Sequence, residues 1–268
     1  MKSDTLQRVS EVVAGLPYMS PEQGRRVYDH VRATRPLAVL ELGTGHGVSA
    51  AYIAAALADN EAGQLTTVDF EHSIHDPDAK SVLERAGVAD RVTVVRRYSS
   101  YTWWLKKQVE ASSDNCGNCE PVYDFVYIDG AKNWNIDGLA VVLAEKLLRP
   151  DGWLLLDDLD WSHDLHPERT ATDGIVHREL SPSERREPHM RAVWDLIVCQ
   201  QPAFTELIVE DDWWGWAHKA PAEPRRLALQ TSRPLGAMVA GVARRAHRRA
   251  VKRARRARWN LRRAWPRR

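Results

Sequence analysis

Residues 41–47 form a glycine-rich segment that could bind a small ligand. Their sequence, ELGTGHG, follows a short apolar run and places Gly43, Gly45 and Gly47 at alternate positions. Glycine lets the backbone turn sharply and approach a ligand without a side-chain clash. Asp69 ends the next apolar run, where its carboxylate can accept hydrogen bonds from both hydroxyls of a ribose. The segment lacks the dinucleotide spacing, so we predict a nucleoside site; a strand-to-helix turn without a ligand is the alternative.

Three aspartates form a second group that could take part in catalysis or bind a ligand. Asp129 follows the apolar run 122–128, and Asp157 and Asp158 follow the run 153–156. If these runs are adjacent parallel strands, their carboxyl ends meet where ligands bind in such sheets. Carboxylates at such short distances repel one another unless a positive charge lies between them. A divalent cation with oxygen ligands, Mg²⁺ above all, fits this pattern, although capping of loops and helices without metal is the alternative.

Alternating apolar runs and helical segments position both groups. The runs that predict strands are 37–42, 65–69, 92–95, 122–128 and 153–156. The segments that predict helices are 21–34, 48–57, 81–86, 101–110, 136–148 and 190–199. Residues 204–209 and 213–218 then form a hairpin around Asp211 and Asp212. This alternation predicts a doubly wound α/β fold with a mostly parallel seven-stranded sheet.

Composition limits the cellular context. The chain has 268 residues, of which 44% are hydrophobic, so one main core is expected. Three cysteines are too few for a disulfide framework, and the most apolar stretch, 50–58, is much shorter than the roughly 20 residues that span a bilayer. We expect a cytoplasmic protein. Cys116 and Cys119 form one C-x-x-C pair, which is half a zinc site or simply two loop thiols.

The charges are distributed unevenly. Residues 224–268 hold 16 Lys and Arg and no Asp or Glu, which leaves 22 basic and 36 acidic residues before them. Apolar positions recur on one helical side of this tail, and such a basic helix suggests an anionic membrane surface, nucleic acid or an acidic partner. A disordered solubilising tail is the alternative. We divide the chain into an N-terminal helical cap (1–35), a central domain (36–219) and the basic tail (220–268).

Residues 39–47, VLELGTGHG, resemble the first motif of class I S-adenosylmethionine-dependent methyltransferases. Residues 123–130 and 147–158 resemble the motifs around the fourth and fifth strands of that family, and the resemblance covers about residues 36–219. It implies a Rossmann-like fold and S-adenosylmethionine as the cofactor. The cofactor-binding residues that it implies, with Ser100 as a further contact to adenine, are Glu41, Gly43, Thr44, Gly45, Gly47, Asp69, Tyr98, Ser99 and Asp129.

The acids after the fourth and fifth strands are similar to those of metal-dependent O-methyltransferases of the catechol type and of the bacterial sugar type. This resemblance implies Mg²⁺ held by Asp129, Asp157 and Asp158. Catechol-type enzymes carry a lysine three residues beyond the first acid, and Lys132 stands there as the candidate base. The histidine that often follows this acid in sugar-type enzymes is absent from residues 130–134. His163 is the second candidate base, with a surface histidine as its alternative.

These observations predict an O-methyltransferase that acts, with a divalent metal, on a hydroxyl of a small molecule or sugar. The alternatives are an RNA methyltransferase that grips its substrate with the tail, and a non-catalytic module that binds S-adenosylmethionine and a partner. The acidic body argues against RNA because it would repel a phosphate backbone. We further expect that the tail meets an anionic membrane, at the inner surface, and that the chain forms a homo-oligomer.

Overall fold

The computed structural model describes residues 4–169 and 171–221 of the chain. Contacts divide the chain into two units, residues 1–226 and 227–268, and every described residue belongs to the first. The predictions for the basic tail therefore lie outside the described residues, except at positions 220 and 221. No helix in the described part is long and apolar enough to cross a bilayer.

Strands and helices alternate along the described unit. The strands are β1 (Ala38–Leu42), β2 (Gln64–Phe70), β3 (Val92–Arg97), β4 (Tyr123–Ile128), β5 (Leu148–Leu156), β6 (Phe204–Glu210) and β7 (Trp214–Lys219). The helices are α1 (Asp4–Val12), α2 (Pro21–Thr34), α3 (Val48–Asp59), α4 (Ala79–Ala86), α5 (Tyr101–Ser112), α6 (Trp134–Leu147), α7 (Pro182–Arg186) and α8 (His189–Val193). A π-helical turn, Trp194–Val198, continues α8.

The seven strands form one sheet in the order β3-β2-β1-β4-β5-β7-β6. Strands β1 to β5 are parallel, and β7 runs antiparallel to both β5 and β6. The predicted doubly wound α/β fold with its closing hairpin is thus confirmed. The strand order reverses between β1 and β4, and this is the point where ligands bind in open α/β sheets.

Helices cover both faces of the sheet. Alternate residues of β1 show this, because Val39 packs with α1 to α4 whereas Leu40 packs with α5, α6 and α8. Both side chains are fully buried. Strands buried on both faces need apolar residues at every position rather than at alternate ones. This is why the central strands are recognisable in the sequence as continuous apolar runs.

The capping box at α2 and the turn of the hairpin follow from local chemistry. Ser20 accepts a hydrogen bond from the Gln23 backbone N–H while the Gln23 side chain accepts one from the Ser20 N–H. Asp211 and Asp212 both have φ of 55°, as a two-residue turn of type I′ requires. Strand β5 starts five residues earlier than the predicted 153, because Leu148 already pairs with Tyr123. The residues between, 149–152, are polar or turn-forming and so give no apolar run in the sequence.

Candidate active site

A cavity of about 1740 Å³ opens at the carboxyl ends of the central parallel strands. The loops that follow β1, β2, β3, β4 and β5 all contribute to its wall. The predicted site residues that line it are Gly43, Thr44, Gly45, Asp69, Tyr98, Ser99, Asp129, Lys132 and Asp158. The predicted residues that do not line it are Glu41, Gly47, Asp157 and His163.

The glycine loop is held against the end of β4. Gly43 has φ of 99°, and a Cβ at this position would lie 2.1 Å from the backbone oxygen of Asp129. Gly47 has φ of 82° and starts α3, and a Cβ there would lie 2.9 Å from the Ala79 side chain. Neither position tolerates another residue without movement of the backbone. Gly43 thus shapes the cavity, whereas Gly47 serves helix packing.

Asp69 at the end of β2 ties the glycine loop to the sheet. Its Oδ2 accepts hydrogen bonds from the backbone N–H groups of Thr44 at 3.1 Å and Gly45 at 3.0 Å, and lies 3.2 Å from the Arg96 guanidinium. Its Oδ1 accepts one bond, from the Phe70 N–H at 2.7 Å. A carboxylate oxygen can accept two bonds, so Oδ1 can accept a further one from a ligand hydroxyl in the cavity.

Glu41 lies beneath the loop rather than in the cavity. It is fully buried and accepts hydrogen bonds from the hydroxyls of Ser49 and Thr67, each at 2.5 Å. Burial raises the pKa of Glu41 to about 8, against the lowering effect of these two bonds. The structure therefore gives Glu41 a role in joining β1, β2 and α3, and does not bring it to the predicted ligand.

The loop between β3 and α5 forms the opposite side of the cavity. Tyr98, Ser99 and Ser100 line it, and the Tyr98 side chain is 75% exposed. The ring of His72 packs edge-on against Tyr98 with their centres 5.7 Å apart. An exposed aromatic ring beside hydroxyl groups can stack on a flat heterocycle such as adenine.

Lys132 sits between two of the predicted acids. Its Nζ lies 2.7 Å from Asp129 Oδ1 and also forms an ion pair with Asp158. Burial opposes the charge on Lys132, but the carboxylates of Asp129 and Asp158 outweigh it and hold the pKa of the amine above its ordinary value. For Asp129, by contrast, burial is the main cause of a higher pKa, which rises to about 6. The sequence predicts a divalent cation between these carboxylates, and the structure places the Lys132 ammonium there.

Asp157 points away from the cavity. Its carboxylate accepts hydrogen bonds from the Tyr127 hydroxyl, from the Trp214 indole N–H at 2.7 Å and from the Asp158 N–H at 2.7 Å. Burial raises the pKa of Asp157 well above its ordinary value. The expected convergence of three carboxylates is therefore reduced to two. Among residues 4–169 and 171–221, no group of three or more His, Cys, Asp or Glu is arranged to hold a metal.

His163 is buried behind the cavity wall. Its ring packs against Trp161 at 4.8 Å and His189 at 5.5 Å, and neither nitrogen has a hydrogen-bond partner. Burial, followed by the charge effects of neighbours such as His189, lowers the pKa of His163 to about 4. The structure does not bring His163, the second candidate base, to the cavity. His163 is not a surface histidine either, because its side chain is buried.

Several cavity residues have no signal in the sequence. Tyr18, just before α2, stacks on His46 of the glycine loop with ring centres 5.8 Å apart. Arg169, from the segment after β5, lies over the Tyr18 ring. Trp213 lines the cavity from the hairpin, whereas Trp214 is buried in the sheet. The signal for this part is the length of the polar segment 158–187, because long loops in compact domains are usually functional lids or disordered.

Comparisons with known proteins agree with this geometry. Residues 40–159 match the family model described as a methyltransferase domain. A search of curated proteins finds no match. Among solved structures, the chain is similar to an O-methyltransferase from Bacillus cereus in complex with S-adenosylhomocysteine, at 24% identity and a TM-score of 0.56 over 82% of this chain and 92% of that one.

Two further structures are similar to a comparable degree. An O-methyltransferase of tomaymycin synthesis from Streptomyces achromogenes, in complex with S-adenosylmethionine, shares 22% identity at a TM-score of 0.53, over 82% of this chain and 91% of that one. A methyltransferase from Podospora anserina, bound to S-adenosylhomocysteine, shares 17% identity at a TM-score of 0.56, over 81% and 88%. Residues 40–159 thus match a methyltransferase-domain model, and the described unit has the fold of these solved methyltransferases, as the sequence predicts.

Proposed function

We propose that this chain is an S-adenosylmethionine-dependent O-methyltransferase acting on a hydroxyl of a small molecule or sugar. The observation that carries the proposal is a single cavity that joins the glycine loop and Asp69 to the ion-paired Lys132. One end of this cavity offers a nucleoside site, and the other offers charged groups that can act on an acceptor. The similar structures named as O-methyltransferases, two of which contain the methyl donor or its product, support the same assignment.

The donor is proposed to lie between β2 and the β3–α5 loop. The free acceptor position on Asp69 Oδ1 would bind a ribose hydroxyl, and Tyr98 and Ser99 would contact the adenine. Gly43 and Gly45 line the cavity beside the end of β4, where the methionine part would lie. This orientation directs the methyl group towards Asp129 and Lys132.

Methyl transfer itself requires alignment more than activation of the donor. The acceptor oxygen forms a bond to the methyl carbon while the carbon–sulfur bond breaks, so that the neutral thioether S-adenosylhomocysteine leaves. Holding the two reactants in line can supply several kcal/mol, roughly 7–11 in well-oriented systems. The remaining task for the protein is to remove the hydroxyl proton.

Lys132 is placed to assist proton removal in its charged form. An uncharged amine would lose its ion pairs with both Asp129 and Asp158, so the ammonium form is favoured. We propose that the hydroxyl proton passes to one of these two carboxylates while Lys132 stabilises the negative charge that develops on the oxygen. In this proposal Lys132 stabilises charge, and the base is the carboxylate of Asp129 or Asp158 rather than a neutral Lys132 amine.

The arrangement of these side chains does not fit the three-carboxylate metal site that the sequence predicts. Both oxygens of Asp157 are taken by Tyr127, Trp214 and the backbone, and Lys132 occupies the space between Asp129 and Asp158. A divalent cation would need Lys132 to leave both partners. The proposed reaction therefore assigns proton transfer and charge stabilisation to Asp129, Asp158 and Lys132.

Titration of the protein with S-adenosylhomocysteine, followed by a screen with methyl-labelled donor, tests the proposal. We expect saturable binding of S-adenosylhomocysteine and label in products whose new methyl group is on oxygen. Binding without transfer to any hydroxyl in a broad panel of phenols, sugars and alcohols would favour a non-catalytic module. Label on RNA, with none on small molecules, would replace the proposed acceptor class.

A further inference from the structure

Arg169 occupies an unusual position at the mouth of the cavity. Its guanidinium carbon lies 5.8 Å from the centre of the Tyr18 ring and 5.7 Å from that of Trp161. Tyr18 in turn lies against the glycine loop, since a Cβ on Gly45 would be 3.6 Å from its ring. Two aromatic rings therefore hold the guanidinium above the loop that is proposed to bind the methyl donor.

Arg169 forms no ion pair with the described residues, although its charge acts at longer range on the adjacent Glu168. The adjacent Glu168 is taken by His166, whose Nδ1 lies 3.1 Å from it. Two other arginines of the same segment are paired, since Arg178 contacts Asp173 and Glu184, and Arg185 contacts Asp164. Planar guanidinium groups pair well with carboxylates in two-point contacts, so an exposed and unpaired one beside a ligand cavity points to an anion.

The carboxylates of the cavity do not serve as that anion. Asp69 contacts Arg96, and Asp129 and Asp158 contact Lys132. A ligand carboxylate that enters the cavity meets acids that repel it, so it needs an unpaired cation to be held there. Among the described residues, the cavity cation with this property and with aromatic support is Arg169.

We propose that Arg169 is a carboxylate-binding residue that closes over the ligands of the cavity. This inference rests on the proposed function, whose donor carries a carboxylate at its methionine end. The position of Tyr18 on the glycine loop favours the donor as the source, and a carboxylate on the acceptor is the other source of the same chemistry. Arg169 thereby connects the segment after β5 to the donor.

Calorimetry on the full chain tests the donor as the source. The probes are S-adenosylhomocysteine and its decarboxylated analogue S-adenosyl-3-thiopropylamine, which differ only in the carboxylate. We expect Arg169→Ala to weaken S-adenosylhomocysteine binding roughly 10- to 100-fold, as for the loss of a charged hydrogen-bonded contact, and to leave binding of the analogue unchanged. Arg169→Lys should restore part of the loss, and Arg178→Ala, on the same segment, is the matched control.

The second arm tests the acceptor as the source. With S-adenosylhomocysteine saturating, binding of 3,4-dihydroxybenzoate is compared with that of uncharged catechol. A loss on Arg169→Ala that is confined to the benzoate assigns the carboxylate to the acceptor. Equal binding of every probe by Arg169→Ala and the unchanged protein overturns the inference while the proposed function stands, whereas failure of the unchanged protein to bind S-adenosylhomocysteine overturns the proposed function and the inference with it.

Discussion

Lys132 and Asp158 form an ion pair in which both residues have a left-handed backbone, with φ of 55° and 60°. Residues other than glycine rarely adopt this conformation, which costs on the order of 1 kcal/mol or more at each position. The two strained positions follow β4 and β5 and direct their side chains at each other across the floor of the cavity. Strain of this kind at a charged pair is consistent with a site that holds its reacting groups in fixed positions.

Replacement of Lys132 should affect turnover much more than donor binding. Lys132→Ala removes the charge that stabilises the developing oxyanion, so we expect kcat to fall roughly 10²- to 10⁴-fold. The affinity for S-adenosylhomocysteine should change little, because the ribose and adenine contacts lie elsewhere. Lys107→Ala, on the exposed side of α5, is the control. Unimpaired turnover in Lys132→Ala would remove Lys132 from the mechanism.

The neighbouring aspartates should behave differently. Asp157→Ala leaves the buried Tyr127 hydroxyl and Trp214 N–H without an acceptor, which typically costs about 1–3 kcal/mol for each group. We therefore expect a clear fall in melting temperature. Asp158→Asn, which tolerates the left-handed backbone, should leave the melting temperature nearly unchanged and reduce turnover.

Removal of metals gives a direct test of the charge balance at this site. We expect turnover to persist in excess chelator, because Lys132 supplies the positive charge between Asp129 and Asp158. The measurement is the initial rate with labelled donor before and after dialysis against chelator. Loss of turnover that added Mg²⁺ restores would show that the sequence-based metal prediction holds and that Lys132 moves aside.

Asp69 should contribute to donor affinity in two ways. It holds the backbone of Thr44 and Gly45 and presents Oδ1 to a ribose hydroxyl. Asp69→Ala should therefore weaken S-adenosylhomocysteine binding by about 2–3 kcal/mol in calorimetry. Glu71→Gln, two residues on and exposed, should bind as the unchanged protein does. Equal affinities of both variants would show that the ribose lies elsewhere.

Stability should fall below neutral pH because of His30. Burial among the rings of Phe125, Trp153 and Trp216 lowers the pKa of His30 to about 4. The unfolded chain binds this proton with a pKa near 6.5, so stability from the neutral imidazole is lost progressively as the pH falls from about 6.5 to 4. His30→Gln should melt with a weaker dependence on pH over this range, and the exposed His72→Gln should keep the original dependence.

The central sheet could be predicted because strands that are buried on both faces are mostly apolar along their length, as in residues 37–42. The glycine loop and Asp69 could be placed for a similar reason, since they directly follow such runs. The orientation of Asp157 could not, because it depends on Trp214, which is 57 residues away in the chain. Nor could a run of two aspartates indicate which one faces the cavity.

The contact of Arg169 with Tyr18 was equally unpredictable. The two residues come from segments with no apolar period, and their contact depends on how these segments pack in the fold. The resemblance to catechol-type enzymes identifies Lys132 three residues beyond Asp129, but its pairing with Asp158 requires the left-handed turns after both strands. Sequence patterns report which faces are buried, whereas these contacts depend on how separate loops approach one another.

The close approach of Gly43 to the backbone of Asp129 has a consequence for engineering this protein. Position 43 has room for no more than a hydrogen, so a side chain there would press on the backbone that carries Asp129. Attempts to widen donor specificity by substitution at this position should therefore alter the reaction rate as well.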